Sequence, residues 1–227
     1  MLQGENKVAA RVAADLVRRV GPAGQVLVIG GGEIGSGAAA LYTGCQVLGT
    51  DIYASPHTQV LADAHDLPFL DATFDAVWIQ AVLEHVLDPP RVVSEIHRVL
   101  KPEGLVFADT PFLQHVHEGA YDFTRYTLSG HRWLFRHFVC LDAGATSGAG
   151  AALLWALRGF AAAHIGSRNV ARALTLPFIW LPWLDGRSQR HEDVAAGVFF
   201  YGRRSDVAVE PRDMVGFYQN RSRSPKG

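Results

Sequence analysis

The densest run of chemically capable side chains lies between Asp109 and Thr127 and reads Asp-Thr-Pro-Phe-Leu-Gln-His-Val-His-Glu-Gly-Ala-Tyr-Asp-Phe-Thr-Arg-Tyr-Thr. It holds His115, His117, Asp122, Arg125 and two tyrosines. An imidazole takes up and releases a proton near neutral pH, which makes His117 a candidate general base. Asp122 can orient that ring or pair with Arg125. The same residues allow a plainer arrangement, in which Asp122 and Arg125 form an ion pair that pins the loop and His117 only hydrogen-bonds backbone. His115-x-His117 is also half of a metal-ligand pattern, but no further ligand stands at a suitable spacing, so no metal is expected. Glu84-His85 reads as loop packing, with proximity to a bound ligand as the alternative.

A second constellation lies upstream. Gln25-Val-Leu-Val-Ile-Gly-Gly-Gly-Glu-Ile-Gly-Ser-Gly37 joins an apolar run to a glycine-rich turn, and the residues from Ala38 to Leu41 read as a helix. The run Val26 to Ile29 suits a strand buried on both faces of a parallel sheet. Strand, glycine turn and helix start together present backbone amides to a ligand. Gly30-x-Gly32-x-x-Gly35 fits a dinucleotide or a nucleoside fingerprint. Asp51 closes a second apolar run about twenty residues on, where a carboxylate can accept hydrogen bonds from ribose hydroxyls.

The elements that must position these groups follow from the hydrophobic pattern. Val8, Val12, Leu16, Val17 and Val20 recur at helical spacing, and Gly21-Pro22 closes that helix. Strands are expected at Gln46–Asp51, Gln59–Asp63, Phe74–Gln80 and Leu105–Ala108. Asp88 is an expected N-cap with Pro89 at the first helical position. Val92, Val93, Ile96, Val99 and Leu100 form the apolar stripe of the helix that follows, and Lys101-Pro-Glu-Gly104 ends it. Phe138–Asp142 and Asp193–Tyr201 read as the last two strands. Alternating strands and helices predict a doubly wound, mostly parallel sheet.

Composition narrows the class. With 48% hydrophobic and 19% charged residues the chain reads as globular, and a net charge of −1 gives no general drive toward nucleic acid. Its 227 residues suit one core with an elaboration. Cys45 and Cys140 have no metal-ligand spacing and cannot form a disulfide framework; a reducing compartment is expected. Asp15, Arg18 and Arg19 interrupt the first apolar pattern, so no signal peptide is expected, and no apolar run is long enough to span a bilayer.

Several stretches in register carry a family resemblance: Asp63-Ala-His-Asp-Leu-Pro-Phe69, Phe74-Asp-Ala-Val77, Leu83-Glu-His85 and Glu95-Ile-His-Arg-Val-Leu-Lys-Pro-Glu-Gly104. With the glycine turn they resemble class I S-adenosylmethionine-dependent methyltransferases of the type 11 kind, from about Gln25 to Ala108. The resemblance implies a seven-stranded Rossmann-like sheet with an antiparallel last strand. It implies S-adenosylmethionine as cofactor, with Gly30, Gly32 and Gly35 against its methionine part and Asp51 on the ribose. Asp63 and the Ala64 amide would meet the adenine, and Gln80 would line the methionine side. Two departures stand out. Val28 occupies a position where the family usually has an acid, and the glycine turn is stretched around Glu33, which is a candidate replacement carboxylate. The later loop resembles a Pro-Phe…His…Asp-x-x-Arg-x-Thr segment found in a subgroup associated with cell-surface polysaccharide and glycolipid pathways. That match carries His117, Asp122 and Arg125 over as catalytic candidates.

The expectation is one methyltransferase domain over residues 1–205, with an apolar helical insertion at about 151–190 and a loosely ordered polar tail over 206–227. The insertion holds Leu174-Thr-Leu-Pro-Phe-Ile-Trp-Leu-Pro-Trp-Leu184, flanked by Arg168, Arg172, Arg187 and Arg190. It reads as a lid or homodimer contact, with an interfacial membrane segment as the alternative. The expected location is cytoplasmic, with the inner membrane face as a peripheral option. The expected reaction is methyl transfer to an oxygen acceptor, a sugar or lipid-linked glycan, with no nucleic-acid partner. Two rivals remain: an NAD(P)-dependent oxidoreductase using the same glycine turn, and a non-catalytic subunit that keeps the fold.

Overall fold

The computed structural model describes residues 5–185 and 192–223. Seven strands form one sheet: β1 (Gln25–Ile29), β2 (Gln46–Asp51), β3 (Val60–Leu61), β4 (Phe74–Gln80), β5 (Leu100–Pro111), β6 (Phe138–Ser147) and β7 (Gly197–Arg204). Their spatial order is β3-β2-β1-β4-β5-β7-β6. Pairings among β1 to β5 are parallel, and β7 runs antiparallel between β5 and β6. This is the expected sheet, with its antiparallel last strand.

Alternation along β1 explains why the sheet is covered on both faces. Leu27 and Ile29 join one core with Val77, Ile79, Val92, Ile96, Phe135 and Phe200. Val26 and Val28 point the other way, into a core with Val12, Leu16, Trp78 and Phe107. Val12 and Leu16 belong to α1 (Lys7–Val20), whose first turn is capped by the Asn6 side chain accepting from the Ala9 amide. Val28 is therefore a buried packing residue on the α1 side. The core on the other face is closed by α3 (Pro89–Val99), where Asp88 accepts from the Arg91 amide as expected of an N-cap. Between these two helices, α2 (Ala39–Gly44) follows the glycine turn.

Four boundaries differ from the sequence expectation. β5 starts at Leu100, because Lys101–Gly104 bulges out of the ladder between the Phe74–Leu100 and Ala76–Leu105 pairings, with Glu103 at positive φ. β3 keeps only Val60–Leu61, since Asp63 turns to accept from the His65 amide. The last strand begins at Gly197, and Glu192–Val194 forms a 3₁₀ turn. β6 runs on to Ser147.

A short helix, α4 (Leu128–Leu134), precedes β6. The insertion between β6 and β7 contains α5 (Ala149–Ile165), α6 (Arg168–Leu174) and two 3₁₀ turns at Leu176–Phe178 and Leu181–Leu184. Asp185 returns to the start of α5, where its carboxylate accepts from the amides of Gly148, Gly150 and Ala151. That carboxylate answers the unpaired amides of a helix N-terminus. Arg187 and Arg190 lie outside the described residues. The tail is not loosely ordered throughout: Pro211–Arg223 forms α7. Its Phe217 packs against the core, and the Tyr218 hydroxyl donates to Asp193 at 2.8 Å.

Candidate active site

The carboxyl ends of the parallel strands bring both sequence constellations to one edge of the sheet, the ligand-binding edge of doubly wound folds. At the end of β1 the amides of Gly30 and Gly31 both donate to the Thr50 carbonyl, which folds the turn toward β2. Gly30 has φ +74°, and a Cβ there would collide with the Val82 side chain. Asp51, ending β2, accepts from the Gly32 amide through Oδ2 at 3.0 Å and from the Tyr53 amide through Oδ1 at 3.1 Å. A Cβ at Gly35 would run into Gln80 Oε1. Gln80 in turn donates to the Ser36 carbonyl and accepts from Trp78 Nε1, both at 3.2 Å. The turn, Asp51 and Gln80 thus form a continuous cradle. Glu33 is exposed beside it.

Asp63 and Ala64 lie on the next loop. The Asp88 amide donates to His65 Nε2, so His65 Nδ1 carries the hydrogen and donates to Asp63 Oδ1 at 2.6 Å. The His65 amide and ring together hold the Asp63 carboxyl below the usual carboxylate range. Ala64 is buried. What fixes this loop is the Glu95–Arg98 pair on α3. Glu95 accepts from the Leu67 amide, and Arg98 donates to the carbonyls of Leu67 and Phe69. The pair therefore braces the loop from behind.

The loop after β5 folds over the loop after β4. Asp122 and Arg125 form an ion pair, and Arg125 also reaches the carbonyls of Gln114, His115 and Thr124. Asp122 accepts from the His117 amide at 3.0 Å. Arg125 is the main cause that holds the Asp122 carboxyl far below its ordinary range, with the His117 amide assisting. His117 Nδ1 faces Asp122 Oδ2 at 3.4 Å without forming a hydrogen bond. Burial lowers the affinity of His117 for a proton. His115 turns away, its ring 4.8 Å from that of Trp155 on α5, so the insertion leans on this loop.

Two buried acids complete the edge. Glu84 is 1% exposed, and burial pushes its carboxyl up to about 8. His85 and His117 lie against it. Asp109, at the end of β5, is pushed up to about 7 by burial, although Thr146 Oγ1 and Asn6 Nδ2 donate to it at 3.0 and 2.9 Å. Sequence reasoning missed Asp109 as a site residue and read Glu84-His85 as packing. The only signal for Glu84 was its place beside Leu83 and His85 in the quoted motif.

Residues 27–108 match the family model described as "Methyltransferase domain". Demethylmenaquinone methyltransferase of Symbiobacterium thermophilum is 41% identical over 75 residues, which is 30% of this chain and 30% of that protein. The mitochondrial arginine-hydroxylase NDUFAF5 of Mus musculus is 47% identical over 58 residues, 26% of this chain and 16% of that protein. The matched stretch thus spans less than a third of either relative. Among solved structures, 1,6-didemethyltoxoflavin-N1-methyltransferase of Burkholderia thailandensis, with bound 1,6-didemethyltoxoflavin and S-adenosylhomocysteine, superposes with a TM-score of 0.55 at 17% identity. That superposition covers 87% of this chain and 79% of the other. The chain carries the class I methyltransferase fold, and its glycine cradle with Asp51 fits the cofactor of that fold.

Proposed function

We propose that this chain binds S-adenosylmethionine and transfers its methyl group to an oxygen acceptor. The observation that carries the reading is the meeting of the glycine cradle with a proton-handling cluster, Glu84, His85 and His117, at one sheet edge. Gly30, Gly32 and Gly35 would lie along the methionine part of the cofactor, with Gln80 beside it. Asp51 keeps lone pairs for the ribose hydroxyls, and Asp63 Oδ2 is left for the adenine amino group beside the Ala64 amide. When bound, the cofactor supplies an electrophilic methyl group whose bonding electrons return to sulfur as the acceptor oxygen attacks.

The chain's own part is placement and proton transfer. Holding acceptor and methyl about 3–3.5 Å apart supplies several kcal/mol of the barrier reduction. His117 is the general base: its burial keeps the ring neutral near pH 7, and its Nε2 takes the hydroxyl proton. Asp122 holds that ring through the His117 amide, and Arg125 fixes Asp122.

The exposed apolar face of the insertion, including Phe160, Trp180 and Trp183, favours an acceptor with an apolar body. The loop pattern and this face together suit a lipid-linked sugar, and the bacterial relative is itself named for a menaquinone precursor. No helix among the described residues is long and apolar enough to cross a membrane, so such an acceptor would be met at a surface. The test is calorimetric titration with S-adenosylmethionine and with NADH, followed by incubation with methyl-labelled cofactor and lipid and glycan extracts. Binding of the sulfonium cofactor with label in a lipid or glycan fraction is expected. Binding of NADH alone would overturn the reading.

A further inference from the structure

We propose that Glu84, His85 and His117 form a binding site for one divalent metal ion of the zinc type. Neither oxygen of the Glu84 carboxylate has a hydrogen-bond partner among the described residues, although the side chain is almost fully enclosed. A buried carboxylate with no donor is costly, and a native structure that keeps one calls for an ion or another partner at that point.

The geometry supplies the rest. His85 Nε2 lies 3.7 Å and His117 Nε2 3.9 Å from the same oxygen, Glu84 Oε1. One ligand atom from each of the three side chains falls within 4.8 Å of the other two. Ligands bonded to one tetrahedral ion at about 2.1 Å stand roughly 3.4 Å apart, so the two contacts to Glu84 would close by about half an ångström or less and the widest pair of ligand atoms by up to about 1.4 Å. Both rings present Nε2 toward Glu84 Oε1, and on His85 Nδ1 is engaged behind. His85 Nδ1 donates to the Tyr121 carbonyl at 2.7 Å, which leaves the Nε2 lone pair of the neutral ring free. His117 Nδ1 faces the Asp122 carboxylate. An outer acceptor such as the one His85 has is what orients metal-ligating histidines, and Asp122 lies where it could serve His117 in the same way.

Two imidazole nitrogens and one carboxylate suit Zn²⁺ and its first-row neighbours rather than Mg²⁺ or Ca²⁺, which prefer all-oxygen ligands. Three protein ligands leave one position open. The existence of the site stands on this geometry alone, whereas its role rests on the methyl-transfer reading. A hydroxyl at the open position would lose its proton to solvent more readily, and its electron pair would attack the methyl carbon. The metal would occupy the same His117 lone pair that proton abstraction uses, so metal-loaded and metal-free protein would activate the acceptor by different routes.

The test is titration of the untagged, chelator-stripped chain with Zn²⁺ in the absence of S-adenosylmethionine. One ion per chain is expected. Affinity should fall at least tenfold in Glu84→Gln and in His117→Ala, and should be unchanged in His164→Ala. Co²⁺ added to the intact chain should give the visible absorption of a low-coordinate nitrogen and oxygen site, a readout that stands even if a variant fails to fold. Absence of stoichiometric uptake, or Glu84→Gln and His117→Ala variants that bind like the parent chain, would overturn the proposal. Cofactor affinity measured separately on the metal-free chain keeps the two readings apart. Zn²⁺ uptake without cofactor binding removes only the methyl-transfer reading, and the reverse result removes only the metal site.

Discussion

Glu84 and Phe123 are joined main chain to main chain: the Phe123 amide donates to the Glu84 carbonyl at 2.8 Å, although the whole of β5 lies between them in sequence. That bond seats the histidine loop on the buried acid, and it explains why His117 meets Glu84 while His115 does not. Because the proposed cofactor contacts lie on earlier strands, His117→Ala is expected to keep cofactor affinity near that of the parent. Turnover should fall by about 10²–10⁴, the usual worth of a positioned proton acceptor. Single-turnover rates beside calorimetric affinity measure both, and an alanine variant with parental turnover would remove His117 from the chemistry.

Asp51→Ala should weaken cofactor binding by well over tenfold. Two charge-assisted hydrogen bonds to ribose hydroxyls are worth roughly 1.5–3 kcal/mol each. The variant also frees the Gly32 amide, which loosens the glycine turn from β2. Calorimetry on the parent and variant chains reads the change, and equal affinities would place the ribose elsewhere.

Arg98→Ala tests the brace behind the loop that carries Asp63 and Ala64. Arg98 ties Leu67, Phe69, Asp71 and Glu95 together at the edge of α3. Its loss should lower unfolding free energy by about 1–3 kcal/mol, the scale of a few charge-assisted hydrogen bonds at a half-exposed site. Cofactor affinity should fall with it, because Asp63 and Ala64 sit on the loop that Arg98 holds. A variant with lower stability and parental affinity would show that the loop keeps its shape without the brace.

His131 gives a pH prediction that is independent of the active site. Its ring on α4 is fully buried, neither nitrogen has a hydrogen-bond partner among the described residues, and burial lowers its pKa to about 3. The unfolded ring binds a proton below about pH 6.5 while the folded ring does not. Folding stability is therefore lost as the pH falls from about 6.5 toward 3, by up to about 1.4 kcal/mol per pH unit. His131→Leu should remove this slope, so that the variant gains on the parent steadily below pH 6. Denaturant midpoints measured between about pH 4 and pH 8 check it. Parallel curves for the two chains would refute it.

Most of the sheet was legible because β1 and the inner parts of β4 and β5 are buried on both faces and read as short apolar runs. Asp51 was legible for a related reason: its distance from the glycine turn is set by one strand-helix-strand unit. The cluster at Glu84 was not, because it exists only once two loops from different strands meet. The resemblance singled out His117 over His115, but not where either ring goes: His115 lies against Trp155 on α5 and His117 against Glu84. The Glu95 and Arg98 motif carried the family resemblance, yet what these residues do is brace a loop, which no spacing rule reveals. Helix α7 escaped notice because its polar sequence offers one strong anchor, Phe217.

Ser147 pairs with Gly197 across the β6–β7 ladder. The described residues between these two partners, 148–185 and 192–196, form no strand of the sheet, and Asp185 accepts from amides at the first turn of α5. An insert attached in this way is a cartridge. A change in its length or apolar face need not move the register of any strand, so under the methyl-transfer proposal this insert can vary while the cradle at β1 and β2 stays as it is. Chains that share the cradle should then differ most in length between β6 and β7.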